Sequence, residues 1–205
     1  MKAAALRTGN TGNRQMDIYL ASQSPRRREL LRQIGVEFEL LPVEIDESQR
    51  AGESPESCVQ RLALEKARAG RAILPAGRSR PVMGADTLVV CGDAVLGKPV
   101  DRDAALGMLQ SLSGSTHRVI TAVALAGDNE AARVSTSLVT FRTLTVAECE
   151  AYWETGEPRD KAGSYAVQGL AAMFITRLEG SYSGVMGLPV YETAELLKDF
   201  GILLL

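Results

Sequence analysis

The stretch IYLASQSPRRRELLRQIG, residues 18–35, reads as a strand that turns directly into a helix. Ile18–Ala21 is a short apolar run followed by small polar residues. Pro25 suits the first helical turn, where its missing N–H costs nothing and its fixed φ is already helical. The helix runs to about Ile34, ahead of Gly35. The alternation continues down the chain. Phe38–Leu41 has strand character, and Ser54-Pro55 opens a long helix reaching about Ala72. Val82–Val90 is a strongly apolar strand, and Cys91-Gly92-Asp93-Ala94 turns it into Val95-Leu96. Asp101 caps a helix through Gln110, and Val119–Leu125 and Ser135–Phe141 read as strands. Thr145 with Glu148 makes a capping box for a helix ending near Gly156. Ala171–Leu178 predicts a last strand and Tyr191–Phe200 a closing helix. Strands alternating with helices predict an α/β protein.

The chain has 205 residues, 45% of them hydrophobic, which is enough for one sizeable core. Residues 1–16 lack the apolar centre and cleavage site of a signal peptide. They read as a mobile extension, with Met16 as an alternative start, ahead of a single domain over 17–205. No apolar run approaches the roughly 18–20 residues of a membrane span. Cys58, Cys91 and Cys149 lie far apart without a CxxC pair, so they read as reduced thiols of a cytoplasmic protein. With 23 basic against 25 acidic residues the formal net charge is −2, which excludes a whole-protein basic field for nucleic acid. An anion site must be a local cluster.

The informative positions are polar residues where the pattern wants apolar ones. Val59, Leu62, Ala63 and Ala67 form a stripe at helical spacing, and Lys66 lies on it. Such a lysine either snorkels past the stripe to water or is paired inside. Asp86 interrupts the apolar run VMGADTLVV; it needs a cation, a metal or several donors unless its face is exposed. Thr87 beside it is ordinary in a strand, and Gly84 permits close backbone approach. LGKPVD, residues 96–101, presents Lys98 on a stiff loop, suited to a phosphate or simply to solvent. GEPRDKAGSYAVQG, residues 156–169, is a long loop offering Asp160, Lys161 and Gln168. Glu44, Asp46 and Glu47 are either solvated surface or the means of holding a hard divalent cation beside a polyphosphate. His117, the one histidine, reads as a hydrogen-bonded structural residue before a general base, and it excludes a multi-histidine metal centre. GxSxG and GxxxxGK[ST] are both absent, so neither a nucleophile elbow nor a P-loop fits. Loop cations, acids for a metal and no evident covalent nucleophile make a kit for chemistry on a phosphate chain.

These motifs together resemble the Maf family, septum-formation-inhibitor-like nucleoside triphosphate pyrophosphatases. The matching pieces are LASQSPRRRELL, ESPESCVQRLALEKA, GADTLVV, LGKPVD, LSGSTHRVITAVAL, GEPRDKAGSYAVQG and SYSGVMGLPV, in the family's order over about residues 18–200. The resemblance implies a mixed twisted sheet with flanking helices and two lobes around a cleft, akin to inosine triphosphate pyrophosphatases. It implies hydrolysis of a nucleoside triphosphate to the monophosphate and pyrophosphate, a divalent cation (Mg²⁺, Mn²⁺ or Co²⁺) and a homodimer. By the same resemblance Asp86 is the proton acceptor, and Glu47, with Asp46 beside it, is the acidic position near the metal. Lys66 and Lys98 match the phosphate-contacting lysines, and Ser22, Arg26 and Arg27 fall on the N-terminal phosphate loop. Arg28 lies further into the helix and reads as a solvated face.

Two branches of the family are distinguishable. One reads SPRR, GADT and DKAG-Y--QG and is associated with dTTP and UTP. The other carries a bulky residue at the Arg26 position, SDQ in place of ADT and a CAGS loop with glutamate for the glutamine, and favours 7-methyl-GTP. Arg26, Thr87 and Gln168 place this chain with the first. Gln168 both donates and accepts, which suits a pyrimidine edge carrying a carbonyl and an N–H. GSYAVQG departs from the branch's more usual GAYGIQG at the small residues Ser164 and Ala166. The alternatives are modified pyrimidine nucleotides as the true substrates, and a nucleotide-binding regulator of septum formation whose hydrolysis is incidental.

Overall fold

β3 (Val82–Cys91) is the strand around which the rest is arranged. Along one edge it pairs antiparallel with β5 (Thr116–Ala126) from Val82 to Val90. β5 pairs in turn with β6 (Glu130–Phe141), and β6 with β7 (Ile175–Glu179), all antiparallel. The other edge of β3 is divided. β1 (Ile18–Leu20) pairs parallel with Val82 and Met83, and carries β2 (Phe38–Leu40) on its far side. β4 (Ala94–Leu96) pairs antiparallel with Val89–Cys91. Among the described residues, Gly84–Leu88 have no ladder partner on that edge, so the sheet is split there. The computed structural model describes residues 16–75, 77 and 79–205; the extension expected at 1–16 falls outside that range up to residue 15. Met16 itself packs against the small cluster of Tyr19, Ala21 and Val82.

The alternation of side chains along β3 assigns its two faces different tasks. Val82, Gly84, Asp86, Leu88 and Val90 share one face, which carries the long helix α2 (Pro55–Ile73). Ser54 caps α2 by accepting from the Ser57 N–H, and Pro55 follows it. The predicted stripe of Val59, Leu62, Ala63 and Ala67 is buried. Contact with the strand is closest at Gly84, where a Cβ would lie 2.1 Å from the Ala63 carbonyl oxygen and 2.7 Å from the Ala67 nitrogen.

Met83, Ala85, Thr87 and Val89 share the opposite face. Met83 and Ala85 belong to a cluster with Leu30, Leu31, Leu196 and Leu197, from α1 (Pro25–Gln33) and the closing helix Val190–Asp199. Val89 belongs to a second cluster with Leu109, Phe141, Tyr152 and Phe174, built on α3 (Arg102–Leu112) and α4 (Val146–Glu154). Between the two clusters runs a polar cross-strand row, Thr87 opposite Thr121 and Thr121 opposite Ser135. The apolar face is thus interrupted where the sheet edge is split.

Two elements differ from expectation. Ala171 does not begin the last strand: Leu170–Phe174 is a 3₁₀ segment, and β7 starts at Ile175. The Glu157 carboxylate accepts from the Leu170 and Ala171 N–H groups and fixes a turn where β-propensity predicted extension. A short helix unseen in the sequence, α5 (Tyr182–Met186), precedes the closing helix α6 (Val190–Asp199). Its signals are Ser181, whose side chain caps the Gly184 N–H, and Gly187 at φ 113° just past its end.

Candidate active site

A cleft of about 580 Å³ opens at the split edge. Its lining includes Ser22, Arg26, Arg27, Glu47, Lys66, Asp86, Thr87, Lys98, Asp160, Lys161 and Gln168, but not Glu44, Asp46 or His117. Asp86 and Thr87 both reach it, although they point to opposite faces, because the missing neighbour strand leaves the edge open.

On the α2 face, Lys66 is turned inward. Its Nζ donates to Asp86 Oδ1 at 2.7 Å and pairs with Glu47 Oε1 at 2.6 Å. The Lys66 and Asp86 side chains are only 12% and 10% exposed, so Lys66 does not snorkel to water. Burial alone would raise the Glu47 carboxyl, but the hydrogen bond to Lys66 and the charges of Lys66, Lys98 and Arg27 hold it below its ordinary value. Asp46 faces elsewhere, accepting the Ser48 N–H, so Glu47 is the acid of the pair that meets the cleft.

On the other face, the start of α1 meets α5. Arg27 donates through Nε to the Gly187 carbonyl (2.8 Å), through Nη1 to Ser22 Oγ (3.1 Å) and through Nη2 to Thr87 Oγ1 (3.3 Å). Burial pushes its guanidinium pKa down, opposed by Asp86 and Glu47. Three of its five N–H donors are committed, leaving two for a ligand. Arg26 Nε donates to the Met186 carbonyl (3.3 Å). α5 is held in reach by Thr121 of the polar row and by Ser137: Thr121 Oγ1 lies 2.8 Å from the Gly184 carbonyl and 3.0 Å from Thr87 Oγ1, and Ser137 Oγ accepts the Ser181 N–H. Thr121, Ser137 and α5 were not legible as site-forming elements, although the two small polar residues inside strands were a signal. Arg28 is not a solvated residue either: its side chain is part-buried, and Nε is shielded without a hydrogen-bond partner.

The third wall is the segment 157–169. Lys161 pairs with Asp160, and these with Gln168 face the cleft. Burial alone would raise the Asp160 carboxyl, but the hydrogen bond to Lys161 and the charges of Lys161 and Arg26 together hold it below its ordinary value. The Gly163 N–H donates to the Gly97 carbonyl, tying this wall to the loop that carries Lys98.

His117 stands behind that wall and is structural. Its Nε2 meets the Tyr165 hydroxyl at 2.8 Å, its ring packs edge-on to Phe141 and Tyr165, and it is 1% exposed. Burial pushes its pKa from 6.5 down to about 4. The unfolded chain therefore binds the extra proton between those values. The stability this adds is intact above pH 6.5 and is lost as pH falls through 4, on the order of 3 kcal/mol. Urea midpoints measured from pH 7 to 4 are expected to fall across this window, and His117→Gln to flatten that part of the curve.

Two carboxylates sharing one ammonium fit a hard divalent cation, which takes oxygen ligands and completes its shell with phosphates and water. No cluster of three or more His, Cys, Asp or Glu side chains is found among the described residues. Glu47 and Asp86 are the carboxylates that would hold it.

The α/β sheet is split at one edge, with paired acids on one side of the gap and helix-start arginines on the other, and the result is an open, strongly charged cleft. The chain belongs to the Maf-like protein family, whose sequence profile matches residues 17–200. The protein of Alkalilimnicola ehrlichii named dTTP/UTP pyrophosphatase is 60% identical over 188 residues, covering 90% of this chain and 93% of its own. The protein of the same name from Pseudoalteromonas atlantica is 55% identical over 188 residues, covering 90% and 97%. The solved structure of the Staphylococcus aureus Ham1 protein overlaps 89% of this chain and 96% of its own at 12% identity, with a TM-score of 0.47. Among the described residues no helix is long and apolar enough to cross a membrane.

Proposed function

We propose that the protein is a metal-dependent pyrophosphatase that converts dTTP and UTP, and pyrimidine nucleotides modified on the base, to the monophosphate and pyrophosphate. The observation that carries this reading is the meeting of the Glu47–Lys66–Asp86 triad with Arg26, Arg27, Lys98 and Lys161 around one cleft. The names of the relatives support the substrate class.

In this reading Asp86 orients a water and takes its proton as the water oxygen bonds to the α-phosphorus. The bond from that phosphorus to the bridging oxygen breaks, and pyrophosphate leaves. Lys66, Lys98 and Arg26 meet the charge that gathers on the phosphate oxygens, while Arg27 fixes the loop of Ser22 and offers its remaining donors. Glu47 and Asp86 would hold a divalent cation, which would add to the neutralisation of that charge. Gln168 reads the base edge, with Thr87, Asp160 and Lys161 completing the wall. The family resemblance carries a homodimer and a cytoplasmic setting into the same proposal, and the three free thiols agree with the latter.

A nucleotide panel with Mg²⁺, Mn²⁺ and Co²⁺, read as pyrophosphate release, tests it. Highest catalytic efficiency on dTTP and UTP, or on their base-modified forms, with dependence on the added metal, is expected. A clear preference for 7-methyl-GTP would sink the branch assignment, and orthophosphate as the product would sink the reaction.

A further inference from the structure

Gln168 is exposed in the cleft, and its side chain makes no hydrogen bond among the described residues. Its aim is therefore set through its backbone. That backbone lies in a tight turn, closed by the Gly169 N–H donating to the Ala166 carbonyl at 3.0 Å. Both arms of the turn are held by one pair of side chains outside the cleft. Before Gln168, the Ala166 N–H donates to the Tyr152 hydroxyl (3.2 Å). After it, the Leu170 N–H donates to Glu157 Oε2 (3.0 Å) and the Ala171 N–H to Oε1 (3.4 Å). The two anchors are joined, because the Tyr152 hydroxyl donates to Glu157 Oε1 at 2.6 Å.

Three further features favour a built clamp over incidental contact. Tyr152 is 3% exposed and packs edge-on against Phe174, so its ring is fixed by the core. Gly169 leaves room for the carboxylate, since a Cβ there would lie 2.3 Å from Glu157 Oε2. The hydroxyl has one proton to give and gives it to Glu157, which orients its lone pairs toward Ala166.

We infer that Tyr152 and Glu157 are positioning residues for base selection: they hold the turn that aims Gln168 and thereby set the preference for a pyrimidine with a 4-carbonyl and an N3–H. The inference rests on Gln168 reading the base. Neither residue lines the cleft, so neither touches the nucleotide.

dCTP is the diagnostic competitor, because cytosine exchanges that carbonyl and N–H for an amine and a bare ring nitrogen. Tyr152→Phe keeps the ring's packing but removes both hydrogen bonds, and Glu157→Gln removes one acceptor oxygen. Each is expected to lower the dTTP-over-dCTP ratio of kcat/KM by roughly tenfold, with the loss for dTTP falling more on KM than on kcat. Gln168→Ala should lower the ratio similarly, and adding Tyr152→Phe to it should lower the ratio little further. A general loss of folded enzyme would slow both nucleotides alike and leave the ratio where it was. If Gln168→Ala collapses the ratio while Tyr152→Phe and Glu157→Gln leave it intact, the clamp is overturned and the base reading stands. If Gln168→Ala also leaves it intact, the base reading fails and the clamp with it.

Discussion

Asp86→Asn is expected to reduce pyrophosphate release from dTTP by roughly 10³-fold while the protein stays folded. The substitution is nearly isosteric and keeps an oxygen that can accept from Lys66, so the 2.7 Å contact can persist. What it removes is charge: an amide is neither a proton acceptor at neutral pH nor a good ligand for a hard cation. Stranding a buried ammonium would normally be costly. Here Glu47, 2.6 Å from the same Nζ, still pairs with it. Melting temperature should therefore fall by only a few degrees, for a loss of about 1–2 kcal/mol. Near wild-type turnover in a well-folded Asp86→Asn protein would remove Asp86 from the reaction.

Gly84→Ala is expected to be damaging at a position that carries no side chain at all. The added methyl would fall 2.1 Å from the Ala63 carbonyl oxygen and 2.7 Å from the Ala67 nitrogen, both backbone atoms that no rotamer change can move. α2 would have to lift from β3. We expect a stability loss of about 3 kcal/mol, the upper range of overpacking. The same lift carries Lys66, one residue before Ala67, away from Asp86. A displacement near 1 Å at a reacting group costs roughly 10²-fold in rate. Thermal unfolding and pyrophosphate release, measured on one preparation, should both fall. An unchanged melting temperature would show that this contact is looser than its distances imply.

Much of this was legible in the chain because the signals are local. The strand–turn–helix at 18–35, the capped helix from Ser54 and the capping box of Thr145 and Glu148 are each fixed by residues a few positions apart. Lys66 and Asp86 were legible as misfits, since each breaks the periodicity of its own element. The motif resemblance then gave them roles that periodicity alone left open. What stayed hidden depends on partners remote in sequence. Arg27 turns on the Gly187 carbonyl, 160 positions away, and Arg28 is part-buried in a way no helical pattern announces. The 3₁₀ segment at Leu170–Phe174 owes its shape to Glu157, so Ala171–Phe174, within the strand expected over Ala171–Leu178, was misread by propensity alone. The split edge of β3 was hidden for the same reason. It exists because β1 reaches only Met83 and β4 only Val89, and neither end point is written in β3 itself.

The charge lining the cleft has a consequence beyond the contacts it makes. Arg26, Arg27, Lys66, Lys98 and Lys161 face Glu47, Asp86 and Asp160, five cations against three carboxylates, an excess of two positive charges. The molecule as a whole carries a formal −2. A polyanion approaching a random point of the surface is on average repelled, while low-dielectric walls focus the opposite field through the mouth of the cleft. An incoming triphosphate is thereby steered toward the cleft, over the roughly 8–10 Å that physiological salt leaves unscreened.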